Sequence, residues 1–266
     1  MAFLNDITLG HYWPGDSIVH NLDPRSKLLG LLGVMTTLLM VLNPIMLMAY
    51  ALFSVFVVRL AKLPAALVFR NVRPFLWLFL ITIAIHLFWT PGRSLFQVPV
   101  VNLNATHEGL AFGILYSIRL ALLVIYAALL TLTTSPMELM DGLERLLNPL
   151  KRLRVPTHEI VLMLSLSLRF IPTLLEEAQR LKNAQLSRGA SFDGSLFKRI
   201  QSVIPLVLPL FVSAFRRADD LALAMDARCY SGGEGRTTYK ILRLGIVDWI
   251  VLLMALALLV AVIGWG

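Results

Sequence analysis

Apolar residues gather into five long runs, at residues 28–42, 44–60, 75–89, 110–131 and 246–265. A helix needs about 20 apolar residues to cross the roughly 30 Å hydrocarbon core of a bilayer. The first and third runs are short for this and need snorkelling flanks or covering neighbours. The pattern predicts an all-α, polytopic membrane helix bundle with about five transmembrane helices. Asn43-Pro44 marks a tight turn between the first two spans. Asp23-Pro24 reads as an N-cap followed by proline at the first helical position.

Between the fourth and fifth runs lies the segment 135–245, which divides the chain into 1–134, 135–245 and 246–266. It carries almost no strand signal and predicts three helices. The first spans 136–147, with Ser135 as N-cap, Pro136 at the first position, and an apolar stripe through Met137, Met140, Leu143, Leu146 and Leu147. The second runs from about Thr157 to Arg188. Residues 160–171 are apolar nearly all round, Pro172 is expected to kink the helix, and an amphipathic half follows. The third runs from about Ser195 to Cys229. Its apolar stretch 203–212 is too short to span and holds Pro205 and Pro209. Phe211, Phe215, Ala218, Ala222 and Met225 then form a stripe expected to pack against another helix.

Composition agrees with a membrane location. The chain of 266 residues is 58% hydrophobic and 15% charged, with mean hydropathy +0.76. Average soluble domains carry about 25% charged residues. The single Cys229 excludes an internal disulfide and a cysteine metal cage. Of the 24 Lys and Arg residues, 16 lie in 135–245. Arg25 and Lys27 precede the first span, and Arg59, Lys62, Arg70 and Arg73 lie between the second and third. The positive-inside rule then places the N-terminus and 135–245 in the cytoplasm and the C-terminus outside. No cleavable signal peptide is expected, because the N-terminus lacks a basic n-region.

Candidate chemistry is sparse. No Walker A pattern occurs, so ATP hydrolysis would belong to another subunit. His11, His20, His86, His107 and His158 have no metal-ligand spacing, and no metal is expected. Arg119 lies deep in the fourth span and serves either bundle pairing or transport. Asp23 and Asp248 are the only acidic residues near the membrane ends of the spans that a membrane-embedded lipid-modifying enzyme could use. The two long helices of 135–245 end alike, in Ala184-Gln185-Leu186-Ser187-Arg188-Gly189 and Ala224-Met225-Asp226-Ala227-Arg228-Cys229, 40 positions apart. Such an arginine either stabilises its own helix C-terminus or, flanked by small residues, offers a guanidinium fork to a partner's carboxylate.

Several ordered stretches resemble the transmembrane T component (EcfT/CbiQ-like) of energy-coupling factor (ECF) transporters, prokaryotic importers of vitamins and some metal ions. They are Tyr12-Trp13-Pro14-Gly15-Asp16-Ser17, His20-Asn21-Leu22-Asp23-Pro24-Arg25-Ser26-Lys27, Thr133-Thr134-Ser135-Pro136, Leu168-Arg169-Phe170-Ile171-Pro172, the two small-Arg ends, and Gly232-Gly233-Glu234-Gly235-Arg236-Thr237. The match covers nearly the whole chain. The resemblance implies a multi-pass protein of a prokaryotic cell membrane that links two ABC ATPase subunits to a membrane-embedded substrate-binding S component. In that family the arginine at each tip of two crossing coupling helices sits in a groove of one ATPase. This assigns ATPase binding to Ser187, Arg188, Gly189, Ala227, Arg228 and Cys229, with coupling-helix bends at Pro172, Pro205 and Pro209. No cofactor is then bound by this chain, and ATP-Mg sits on the partner ATPases. Cys229 stands where the family has glycine, and a Cβ is disfavoured in the left-handed region, which puts the cap there in question.

Three alternatives carry distinct expectations. A dedicated cobalt or nickel ECF importer would use the same T component with a different S component. An ordinary ABC permease would need its own polar substrate path, and the spans show little polarity. A lipid-modifying enzyme would need convergent acids or histidines at the interface.

Overall fold

The computed structural model describes residues 12–41, 43–98, 103–153, 155–190, 196–232 and 244–265. The expected turns and caps form where the sequence places them. Helix α1 (Pro24–Met40) opens on Asp23, whose carboxylate accepts from the Arg25 amide at 2.9 Å. Helix α2 (Pro44–Leu60) opens on Asn43, whose side chain accepts from the Ile45 amide at 2.9 Å. Helix α3 (Ala65–Val72) passes through a 3-10 turn (Arg73–Phe75) into α4 (Leu76–Trp89).

The third span is therefore longer than its apolar run. The helical segment Ala65–Trp89 has 25 residues, so Arg70 and Arg73 belong to it and not to a loop. Val68 of this added stretch is buried in the core.

An antiparallel hairpin of β1 (Ser94–Val98) and β2 (Leu103–Thr106) follows, with an irregularity between Ser94 and Phe96. The apolar periodicity did not predict it. Helix α5 (His107–Thr133) starts on Thr106, whose hydroxyl accepts from the Gly109 amide at 3.1 Å. Helix α6 (Pro136–Leu147) begins with a reciprocal capping box. The Glu138 amide donates to Ser135 Oγ and the Ser135 amide to Glu138 Oε2, both at 3.3 Å. Helices α7 (Thr157–Ser187), α8 (Leu196–Asp226) and α9 (Ile246–Trp265) complete the described chain.

The chain divides into two compact units, one built from 10–142 with 242–266 and the other containing 143–241. In the first unit the helices approach through small residues. On α5, a Cβ at Gly113 would lie 3.0 Å from the Ile83 backbone, and Ser117 donates to the Phe79 carbonyl at 3.1 Å. Gly109 meets the His86 carbonyl even more closely. Gly109, Gly113 and Ser117 thus form a small-xxx-small line that lets α4 and α5 pack backbone to backbone. On α1, Gly33 faces the Ala255 methyl of α9, where a Cβ would lie at 3.1 Å.

The buried core of this unit gathers Val34, Leu38, Tyr50, Leu122, Tyr126 and Leu129. A hydrogen-bond relay runs through it. Tyr126 donates to the Tyr50 carbonyl at 3.1 Å, Tyr50 to Thr37 Oγ1 at 2.8 Å, and Thr37 to the Val34 carbonyl at 2.9 Å. Each of these buried hydroxyls is satisfied, as a low-dielectric interior demands. Outward-facing Ile45, Met48, Trp89 and Ile246 stay exposed, the pattern of a bundle surrounded by lipid.

Four described helical segments are long and apolar enough to cross a membrane: Ala65–Trp89, His107–Thr133, Thr157–Ser187 and Ile246–Gly264. Pro44–Leu60 is a shorter apolar helix. The segment Thr157–Ser187 meets this criterion through the apolar first half of α7, which the charge asymmetry alone assigns to the cytoplasmic side.

Candidate functional site

The two small-Arg ends adopt one backbone geometry. At the end of α7, the amides of Arg188, Gly189 and Ala190 donate to the carbonyls of Gln185, Leu186 and Gln185, at 3.1, 3.0 and 3.0 Å. Forty residues on, the amides of Arg228, Cys229 and Tyr230 donate to Met225, Asp226 and Met225, at 3.0, 2.9 and 3.0 Å. Gly189 has φ +86° and Cys229 has φ +55°. Both are left-handed caps closing a Schellman-type end. Cysteine thus occupies the glycine position without changing the cap's form. Its thiol side chain is exposed, so no packing opposes the conformation.

Both arginines are exposed at these ends, together with Ser187, Gly189, Ala227 and Cys229. Neither Arg188 nor Arg228 has an ion-pair partner among the described residues. A guanidinium tied to its own helix end would be the self-capping case; these two present their forks outward.

The helices behind them pair. Arg217 of α8 donates to Glu177 Oε2 of α7 at 2.9 Å. This contact lies eleven residues before each arginine (188 − 177 and 228 − 217). At 1.5 Å per residue, each arginine stands about 16 Å along its helix from the shared contact.

Pro172, Pro205 and Pro209 sit inside α7 and α8, and both helices continue through them. Of the stripe expected to pack from α8, Met225 is half-buried, whereas Phe211, Phe215, Ala218 and Ala222 are exposed. Phe211 and Phe215 stack on one another at 6.3 Å and are 57% and 66% exposed. Half-buried positions of α8 instead run through Leu206, Leu210, Ser213, Ala214 and Leu221. Arg217, which meets Glu177 of α7, lies on this same side of α8. Ser195 and residues 233–237 of the Gly-rich motif lie outside the described residues.

The other candidate residues find structural partners. Arg119 donates to the Val41 carbonyl at the end of α1, and its guanidinium lies 4.9 Å from the Tyr116 ring centroid. It pairs within the bundle. His86 stacks on Tyr116 at 4.7 Å. His20 accepts or donates with Ser17 Oγ at 2.7 Å and contacts the Trp13 carbonyl at 3.0 Å. His158 pairs with Glu144 at 2.9 Å. Among the described residues, no three His, Cys, Asp or Glu side chains group as a metal site.

Sequence reasoning missed one cluster. Asp248 of α9 accepts from the Asp23 amide at 2.9 Å, from the Ser26 hydroxyl, and from the Gly245 amide at 2.8 Å. Lys27 donates to the carbonyls of His20 and Thr133, at 2.9 and 3.1 Å. The cluster ties the segment before α1, the end of α5 and the start of α9 together. Asp248 is thus spent on backbone and hydroxyl donors, and the Asp23 carboxylate faces the Arg25 amide and guanidinium. Their separation by 225 residues hid the pairing.

Comparison with known proteins places these features in a family. The family model for CbiQ, described as cobalt transport protein, matches residues 15–239. The energy-coupling factor transporter transmembrane protein EcfT of Acidaminococcus fermentans is 46% identical over 269 residues, covering 99% of this chain and 98% of the relative. Its namesake in Heliobacterium modesticaldum is 45% identical over 266 residues, with 98% of each covered. That of Bacillus subtilis is 43% identical over 239 residues, with 89% of each covered. The all-α membrane bundle, the paired arginine ends and this near full-length similarity agree, and the chain belongs to the CbiQ/EcfT family of energy-coupling factor transporter transmembrane proteins, as a membrane component of a transporter and not an enzyme.

Proposed function

We propose that this chain is the energy-coupling subunit of an ECF-type importer, joining two ABC ATPase subunits to a membrane-embedded S component for uptake of vitamins or related micronutrients. The observation that carries the reading is the pair of identically capped helix ends with outward-facing Arg188 and Arg228. Two equivalent ends suit two copies of one kind of partner, each supplying a carboxylate to a guanidinium fork. Ser187, Gly189, Ala227 and Cys229 keep the approach to each arginine open. ATP-Mg would sit on those partners and hydrolysis would occur there. The exposed Phe211 and Phe215 face supports docking of a further apolar partner.

In this reading the N-terminus and 135–245 are cytoplasmic, as the Lys and Arg asymmetry supports. ATP-driven movement of the ATPases would shift both arginine tips. Pro172, Pro205 and Pro209 would shape the helices that carry the motion to the bundle. The substrate would be chosen by the S component. A second reading, a dedicated cobalt or nickel importer, is favoured by the family model's own description as a cobalt transport protein.

The test is uptake by the assembled transporter. Arg188→Glu and Arg228→Glu each lower ATP-dependent uptake and together abolish it, while substrate binding to the isolated S component is unchanged. Uptake at the parental rate by the double variant refutes the assignment.

A further inference from the structure

The first unit contains a cavity of about 360 Å³ between α1, α2, α5 and α9. We propose that it holds an acyl chain of an anionic glycerophospholipid, whose phosphate is met by Arg59 and Lys62 at the end of α2.

The cavity's chemistry selects an apolar occupant. Leu31, Val34, Phe53, Val57, Leu130 and Met254 are among its walls, and Lys27 is the one charged residue in the lining. Lys27 already gives two hydrogens to the carbonyls of His20 and Thr133. An apolar space of this kind holds no ordered water. Its size is in the range of small-ligand and acyl-chain sites. Small-ligand pockets start at about 300 Å³. Along α9 the lining runs from Val247 to Leu258. That is about 16 Å at the helical rise, so the space is elongated along α9.

Its position selects the headgroup. The walls come from the starts of α1 and α9 and from the ends of α2 and α5. Successive spans alternate in direction, so these four ends share one leaflet. Leu60 lines the cavity, and Arg59 and Lys62 flank it on exposed positions. Neither joins an ion pair among the described residues. The sequence holds no acidic residue from Pro24 to His107, so nothing in that stretch neutralises them. A lipid phosphate at headgroup depth does.

The experiment uses the full chain in nanodiscs containing either phosphatidylglycerol or phosphatidylcholine with the same diazirine-bearing tail. Adducts are mapped by peptide mass. Labelling is expected on α5 and α9 residues that line the cavity, with phosphatidylglycerol favoured by about fivefold if one cation engages it. Leu130→Trp obstructs the α5 side of the space and lowers cavity adducts while leaving those on lipid-facing residues. Arg59→Gln with Lys62→Gln, both exposed and tolerant positions, brings the two lipids to equal labelling. Adducts confined to outward faces overturn the site. Equal labelling of the unchanged chain overturns the anionic headgroup. Capture of a co-purified membrane protein, and not lipid, by p-benzoylphenylalanine at Met254 overturns the occupant.

Discussion

Replacing Cys229 by glycine should strengthen the end of α8, although it removes a side chain. Cys229 holds φ +55°. A side chain in the left-handed region costs about 1–2 kcal/mol. Glycine escapes that strain but loses about 0.4–1 kcal/mol through the greater freedom of the unfolded chain. The thiol is exposed, so no buried contact is forfeited. At mid-range values the net gain is about 0.8 kcal/mol. The α7 end supplies the reverse test. A Cβ at Gly189 would meet nothing within 4 Å, so Gly189→Ala loses only conformational energy, by a similar amount and opposite sign. Helix ends open locally, so hydrogen–deuterium exchange of their last-turn amides is the assay. At RT of about 0.59 kcal/mol, Cys229→Gly slows exchange of the Cys229 and Tyr230 amides about two- to fivefold, and Gly189→Ala speeds the Gly189-position and Ala190 amides comparably. Faster exchange in Cys229→Gly would show that the cysteine side chain holds the cap and would refute the strain argument.

Three further outcomes follow from other contacts. Gly109→Ala drives a methyl toward the His86 carbonyl and to 2.6 Å from Thr106 Oγ1; overpacking of about 1–3 kcal/mol should lower the thermal midpoint of the solubilised chain, and an unchanged midpoint contradicts the close α4–α5 approach. Asp248→Ala strands the buried Asp23 amide, at about 1–3 kcal/mol, while the Ser26 hydroxyl keeps the Asp23 carbonyl at 2.7 Å; Asp248→Asn keeps an acceptor and should lose less in the same melt, and equal losses would count against the hydrogen-bond account. Pro172→Ala should leave assembly of the proposed complex intact yet lower substrate imported per ATP hydrolysed in liposomes, because a helix relieved of its proline redirects its tip; an unchanged ratio counts against the lever.

Periodicity, proline and capping residues lie close together in the chain, and that is why they can be read from it. The starts of α1, α2 and α6 were visible in Asp23-Pro24, Asn43-Pro44 and Ser135-Pro136, because an N-cap is a contact across two or three residues. The equivalence of Arg188 and Arg228 was legible for the same reason: each helix end is written in six consecutive residues. Membrane residence came from composition alone, since so apolar a chain cannot hide its surface in water.

Features made by distant residues needed the fold. Asp248 looked like an isolated acid until α9 returned beside α1 and gave it the Asp23 amide and the Ser26 hydroxyl. Arg119 reads from the sequence as a bundle group ahead of a transport group, and the end of α1 supplies the partner, the Val41 carbonyl. The apolar stripe on α8 states only that a face wants covering, and only the fold shows Arg217 meeting Glu177 of α7 while Phe211 and Phe215 stay outward. Glycines at 109 and 113 carry no periodic hydrophobic signal; their purpose appears only where α4 lies close enough for a missing Cβ to matter.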